Sequence, residues 1–438
     1  MSWLDAGRTS APSVEAPGFD ALYLHLPFCV GRCSYCSFPT CTAPADDPLI
    51  DRYCDALALS LRRASKTGLL ASVKSCYLGG GTPSHVGGRN LSSLLYLLGV
   101  LVPRVEGDFE LTVECNPESV TLALARDLFA LGVTRFSLGV QSFDDDLLAA
   151  LGRPHTGRQA RVAIEALKER GAQVSADLIC GIPGQTMEGW LSDLDQAIAC
   201  GVDHLSVYPL TVDEGTPLAA VGADPDPDLQ ADMMLAAQER LAAAGLVRYE
   251  VASYARPGCE ARHNTTYWTG GSYLGLGVGA ASMMTPAQWG ALGEAGLFSG
   301  ACGLPAPTDG EPPARVRASA LPAGAERGGQ VRDETRRRAV AFARDICMPV
   351  EVECLSARQA AAEDLMLGMR LVRGVPAALV ERCRALLPGL DGALAGLVAD
   401  GLASWREEPG SPGSRLAPTD RGWLLGNELF ERLWDLAG

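Results

Sequence analysis

The sequence has no apolar run long enough to cross a bilayer. Its longest stretches, such as Leu94–Val102, fall far short of the ~20 residues a spanning helix needs. Near the N-terminus there is no apolar core of the kind a secretory leader carries, so a cytoplasmic protein is expected. Positive charge is scarce: Lys and Arg total 37 against 52 Asp and Glu, a formal charge of −15. That balance argues against a basic-groove protein, and no nucleic-acid partner is expected. The one dense basic run, Arg336–Arg338, is the candidate for peripheral contact with an anionic membrane. Aromatics make up 6% and histidines number five. Fourteen cysteines in 438 residues are too dilute for a disulfide scaffold. Most read as buried thiols, and any tight group reads as a metal site.

What is present is regular alternation. β-rich runs occur at Ala21–Leu26, Ser75–Leu78, Phe109–Glu114, Arg135–Val140, Val174–Ile179 and His204–Tyr208. Between most of them lie helical patterns at Leu49–Arg63, Leu122–Leu131, Arg158–Arg170 and Glu188–Cys200. Six such units predict an α/β fold, a parallel sheet curled into a full or partial (β/α)6 TIM-like barrel. Four stretches are expected: a loose tail over 1–20, the barrel domain over 21–285, a flexible Gly/Pro/Arg-rich insertion over 286–345, and a helical, winged-helix-like C-terminal module over 346–438. Tyr249–Tyr254 reads as the last barrel-like strand.

In parallel α/β architectures the ligand site lies at the carboxyl edge of the sheet. Here the special residues cluster at those edges. The first strand runs into Cys29-Val30-Gly31-Arg32-Cys33-Ser34-Tyr35-Cys36 and the second into Gly79-Gly80-Gly81-Thr82-Pro83. The third ends in Glu114-Cys115-Asn116-Pro117 and the fourth in Gly139-Val140-Gln141-Ser142. The fifth carries Asp177. Three cysteines spaced by three and then two residues can wrap an iron–sulfur cubane and leave one iron open. The alternative is zinc, for which Cys41 or His25 would supply a fourth ligand.

The cysteine spacing directly after a first strand resembles the signature of the radical S-adenosylmethionine (SAM) superfamily. Tyr23–Cys29, Gly79–Ser84, Glu114–Pro117, Asp177–Gln185 and His263-Asn264-Thr265-Thr266-Tyr267-Trp268 together resemble the oxygen-independent coproporphyrinogen III oxidase family. In that family the decarboxylating branch carries an additional Cys two residues past the third ligand. Here position 38 is Phe, which matches the haem-chaperone branch. The resemblance implies that Cys29, Cys33 and Cys36 ligate a [4Fe–4S] cluster whose fourth iron takes the methionyl amine and carboxylate of SAM. It implies that Gly80, Gly81 and Thr82 receive the methionyl group, the glycines letting backbone approach the ligand. It also implies that Glu114 pairs with the methionyl ammonium or the ribose, and that Tyr23, Tyr35, Gln141, Arg153 and Asp177 contact the nucleotide. His263, in a loop with Tyr267 and Trp268, would be an axial ligand of haem b. The expected partners are then haem and haem acceptors such as respiratory cytochromes or oxidases. The runner-up function is oxidative decarboxylation of coproporphyrinogen.

Overall fold

A computed structural model describes residues 16–103, 107, 109–299, 304–320, 329–407 and 413–438. The six expected strands are β1 (Ala21–Leu26), β2 (Ser75–Gly80), β3 (Glu110–Cys115), β4 (Arg135–Gln141), β5 (Gln173–Cys180) and β6 (His204–Pro209). They lie side by side in chain order and pair in parallel throughout. Such strands are covered on both faces, which is why they read as near-continuous apolar runs. β7 (Tyr273–Leu276) adds a further parallel strand beyond β1.

The connecting helices carry their own start signals. Asp47 caps Pro48–Ser65, with Pro48 at the first helical position, and Thr156 and Gln159 form a capping box at the start of Gly157–Lys168. Their apolar faces join the sheet in one core that includes Leu22, Leu24, Leu57, Ile164 and Trp190. Trp190 also donates its indole N–H to the Met233 carbonyl at 2.8 Å.

The sheet does not close among the described residues. Beyond β7 it continues antiparallel through β8 (Ala281–Met284), β9 (Pro313–Ser319) and β10 (Glu351–Ser356). Beyond β6 it ends in two short antiparallel strands, Ser253–Ala255 and Val247–Arg248. The fold is thus a partial barrel with extensions. The expected strand over Tyr249–Tyr254 is instead this tight hairpin, because composition marks residues as strand-forming without showing where the chain reverses.

The stretch expected to be a structureless insertion contains regular elements. Thr285 and Gln288 box the start of helix Pro286–Glu294, β9 is a full member of the main sheet, and Gly329–Phe342 is a helix. Small residues hide the period: Val316 and Ala318 face the core of β9, while Arg315 and Arg317 pair with Glu363. Phe342 packs against Tyr53, with ring centroids 5.0 Å apart. Residues 300–303 and 321–328 of that stretch, and 1–15 of the expected tail, lie outside the described residues. Where the tail enters the described region, Phe19 is fully buried. Arg336 pairs with Asp47, and Arg337 and Arg338 with Glu334, so the basic run is matched by acids.

After β10 come helices Ala357–Gly368, Ala377–Arg384 and Leu390–Ala399, the hairpin Ala403–Glu407 and Ser414–Pro418, and helix Gly426–Trp434. They enclose a small core of their own, with Leu365, Leu397, Leu416 and Leu433. This is the winged arrangement expected. No helix among the described residues is long and apolar enough to cross a membrane.

Candidate functional site

Cys29 ends a two-residue strand, Phe28–Cys29, that pairs with Cys41–Thr42. The loop between them is therefore held at both ends. Its middle is tied across the barrel mouth, Ser34 N–H donating to Leu151 O at 2.8 Å and Ser37 Oγ to Asp213 Oδ2 at 2.6 Å. A cavity of about 410 Å³ opens beneath this loop at the carboxyl ends of the strands. It brings together Cys29, Cys33, Cys36, Tyr23, Tyr35, Gly80, Gly81, Thr82, Glu114, Gln141, Arg153 and Asp177. Every candidate site residue except His263 is on its walls.

The donor set fits a cluster. The three thiols are half-buried; Thr82 Oγ1 donates to Cys29 Sγ at 3.7 Å and Arg153 Nη1 to Cys33 Sγ at 3.3 Å. Burial pushes the Cys29 thiol up to about 12, so metal binding must displace its proton. Among the described residues no three His, Cys, Asp or Glu side chains converge on a single ion. A cubane takes each thiolate to a different iron, whereas zinc takes four ligands to one ion. Both candidates for a fourth zinc ligand are otherwise placed. Cys41 is 2% exposed, and His25 has its nitrogens 3.0 Å from Tyr23 Oη and 3.2 Å from Pro39 O.

Opposite the thiols stands Glu114. Its carboxylate accepts from Tyr77 Oη at 2.7 Å and from Gly80 N–H at 3.0 Å, yet burial raises its pKa to about 7 against those two bonds. Burial likewise raises Asp177 to about 6, opposed by serine hydroxyls that include Ser137. Arg153 ties the edge together, donating to Asn116 Oδ1 at 2.8 Å and to Gly139 O at 2.7 Å. Gln141 has φ +68°, an uncommon conformation for a residue with a side chain, where β4 bulges between Gly139 and Gln141. Asn116, inside the Glu114–Pro117 motif, also stands on the cavity wall. Its signal in the sequence is its place one residue past the end of β3.

The glycine loop is also packed closely from behind. A Cβ on Gly80, whose φ is +115°, would meet the His25 ring at 2.6 Å, and one on Gly81 would meet the Phe28 carbonyl oxygen at 2.7 Å. The close approach of the strand leading into Cys29 requires glycine at both positions, and a valine at position 80 would strike His25.

Residues 23–197 match the pattern of the Radical SAM superfamily. Over 96% of this chain and 98% of the relative, the sequence is 35% identical to the heme chaperone HemW of Mycobacterium tuberculosis. The chain belongs to the HemW family. The HemW of Escherichia coli is 36% identical over 60% of this chain and 70% of that one. Among solved structures, the coproporphyrinogen III oxidase HemN of Escherichia coli superposes with a TM-score of 0.71, covering 96% of this chain and 91% of that one at 21% identity. That likeness establishes the fold.

In this HemW-family chain, His263 lies in a helix rather than in the expected loop. It sits in a short helix, Arg262–Trp268, whose first N–H groups are capped by Glu110 at the start of β3. The helix therefore lies toward the amino ends of the strands, away from the cysteines. His263 is 1% exposed; Nδ1 bonds Ser75 Oγ at 3.0 Å, Nε2 bonds Tyr267 Oη at 2.7 Å, and the ring stacks on Tyr77 at 5.1 Å. Burial lowers its pKa to about 3. Both nitrogens are hydrogen-bonded to hydroxyls, and the expected loop is instead a short helix with His263 on its buried face. A His followed by aromatics reads alike in either setting, because spacing does not say which face of a helix is inward.

Proposed function

We propose that the chain is a haem-handling radical SAM protein of the HemW type, which holds haem b and passes it to acceptors such as respiratory cytochromes or oxidases. The observation that carries this reading is the alignment with a heme chaperone over nearly the whole of both chains, rather than over the barrel alone. Cys29, Cys33 and Cys36 would hold the cluster, and the open side of the cavity would receive SAM. Once bound, cluster and nucleotide supply one-electron chemistry. The protein's own contribution is to fix the thiols, to present the Glu114 carboxylate to the methionyl ammonium through Tyr77 and Gly80, and to anchor the cysteine loop through Arg153. Phe38, two residues past the third cysteine and 64% exposed at the cavity wall, stands where the decarboxylating branch of the family has Cys. The direct test is retention of added haem by the anaerobically reconstituted protein through gel filtration; complete release would overturn the reading.

The nucleotide assignment has a pH signature. Below about pH 7 Glu114 is mostly protonated and cannot pair with an ammonium group. Because the folded-state pKa is raised, its stabilising contribution to the ligand-free fold is lost as the pH rises through that value. Ionisation in turn prepares the site for the cation. Calorimetric SAM affinity should therefore increase as the pH rises from 6 to 8, and Glu114→Gln should weaken binding and flatten the slope. A slope unchanged in that variant would place the methionyl ammonium elsewhere.

A further inference from the structure

A cavity of about 740 Å³ lies where helix Arg262–Trp268 meets the C-terminal module. In a chain with net charge −15 it gathers Arg248, Arg262, Arg373, Arg406 and Arg415 against Glu260 and Glu407. Arg248 is already committed, stacked on Trp423 at 3.9 Å and paired with Asp420. Arg406 donates to Pro418 O at 2.9 Å and Ser404 Oγ at 3.3 Å, neutral acceptors that orient a guanidinium without cancelling its charge. Arg373 is exposed, and its carbonyl oxygen accepts from Arg415 Nε at 2.9 Å. The wall between the charges is apolar in part, formed by Tyr249, Leu371 and Val372. The opposite wall is the outer face of helix Arg262–Trp268, whose inner face carries His263.

The volume falls within the ~300–1,000 Å³ usual for small-molecule sites. Apolar surface combined with arginine forks is the complement of a flat, greasy molecule bearing carboxylates, since guanidinium groups take carboxylates bidentately. The geometry points to this cleft as a porphyrin-docking site that grips haem by its propionates, Arg373 and Arg406 being the principal contacts. The inference rests on the haem-handling reading and gives that reading a place on the molecule other than His263. Recognition here is by carboxylate and ring face, with no histidine among the described residues of the cleft wall. Metal-free porphyrin should therefore bind about as well as haem.

The test is fluorescence titration of the reconstituted full-length protein with protoporphyrin IX, alongside its dimethyl ester and haem. Wild type should bind the free acid and haem, while the ester should bind about tenfold more weakly or worse. The double variant Arg373→Gln, Arg406→Gln should weaken the free acid by about the same factor, with cluster absorbance unchanged. Both residues are exposed, so the fold should survive the change, and the ester comparison needs no variant. Equal affinity for acid and ester, or an unaltered double variant, would overturn the cleft assignment while leaving haem handling intact. Failure of wild type to bind either haem or porphyrin would instead overturn the haem-handling reading itself.

Discussion

Cys29→Ala, Cys33→Ala and Cys36→Ala should each abolish the brown iron–sulfur chromophore and the protein-bound iron, whereas Cys41→Ala should keep both. The three thiols line one cavity on a loop pinned at both ends and across the barrel mouth, so each is held in a fixed place toward the cluster. Cys41 is a buried residue of the short strand that anchors this loop. Its truncation removes a small apolar group, at a stability cost of about 1 kcal/mol, and no ligand. Iron analysis after anaerobic reconstitution reads the result directly. Iron lost from the Cys41 variant while its fold persists would contradict the three-ligand assignment.

His263→Ala should act on stability rather than on haem. The substitution empties a site stacked on Tyr77 and leaves the Ser75 and Tyr267 hydroxyls without their imidazole partner inside the barrel. Cavity and unsatisfied-group terms together predict a loss of about 2–4 kcal/mol. Urea unfolding followed by tryptophan fluorescence should show the lowered midpoint. Haem affinity and the Soret band, measured well below that midpoint, should stay as in wild type. The opposite pattern, a displaced Soret band with unchanged stability, would make the imidazole an iron ligand and would require the helix Arg262–Trp268 to open on haem binding.

The central barrel was legible because its strands are buried on both faces and its helices carry capping signals. β1 matches the expected run over Ala21–Leu26 residue for residue, and β2 to β6 differ from theirs by a residue or two at the ends. The cluster edge was legible for a related reason: Cys, Gly, Asn and buried acids at the ends of parallel strands have little packing purpose there. Three things were hidden. β9, a strand of alternating arginine, alanine and valine, looks like linker until its partners Glu353 and Glu363 are seen across the sheet and on the next helix. The positive φ of Gln141 depends on a bulge that no residue type announces. The need for Gly80 comes from the His25 ring, a contact between two strands and so invisible to a one-dimensional pattern.

The cysteine-lined cavity is proposed to serve a protein that carries haem rather than one that oxidises a porphyrinogen. The most direct measurement supplies the anaerobically reconstituted protein with SAM, a reductant and either haem or coproporphyrinogen III, and follows protein-bound haem in one arm and release of carbon dioxide in the other. Haem should be retained through gel filtration, with no carbon dioxide released above the protein-free control. Sustained carbon dioxide release over many turnovers, with haem lost on the column, would contradict this proposal.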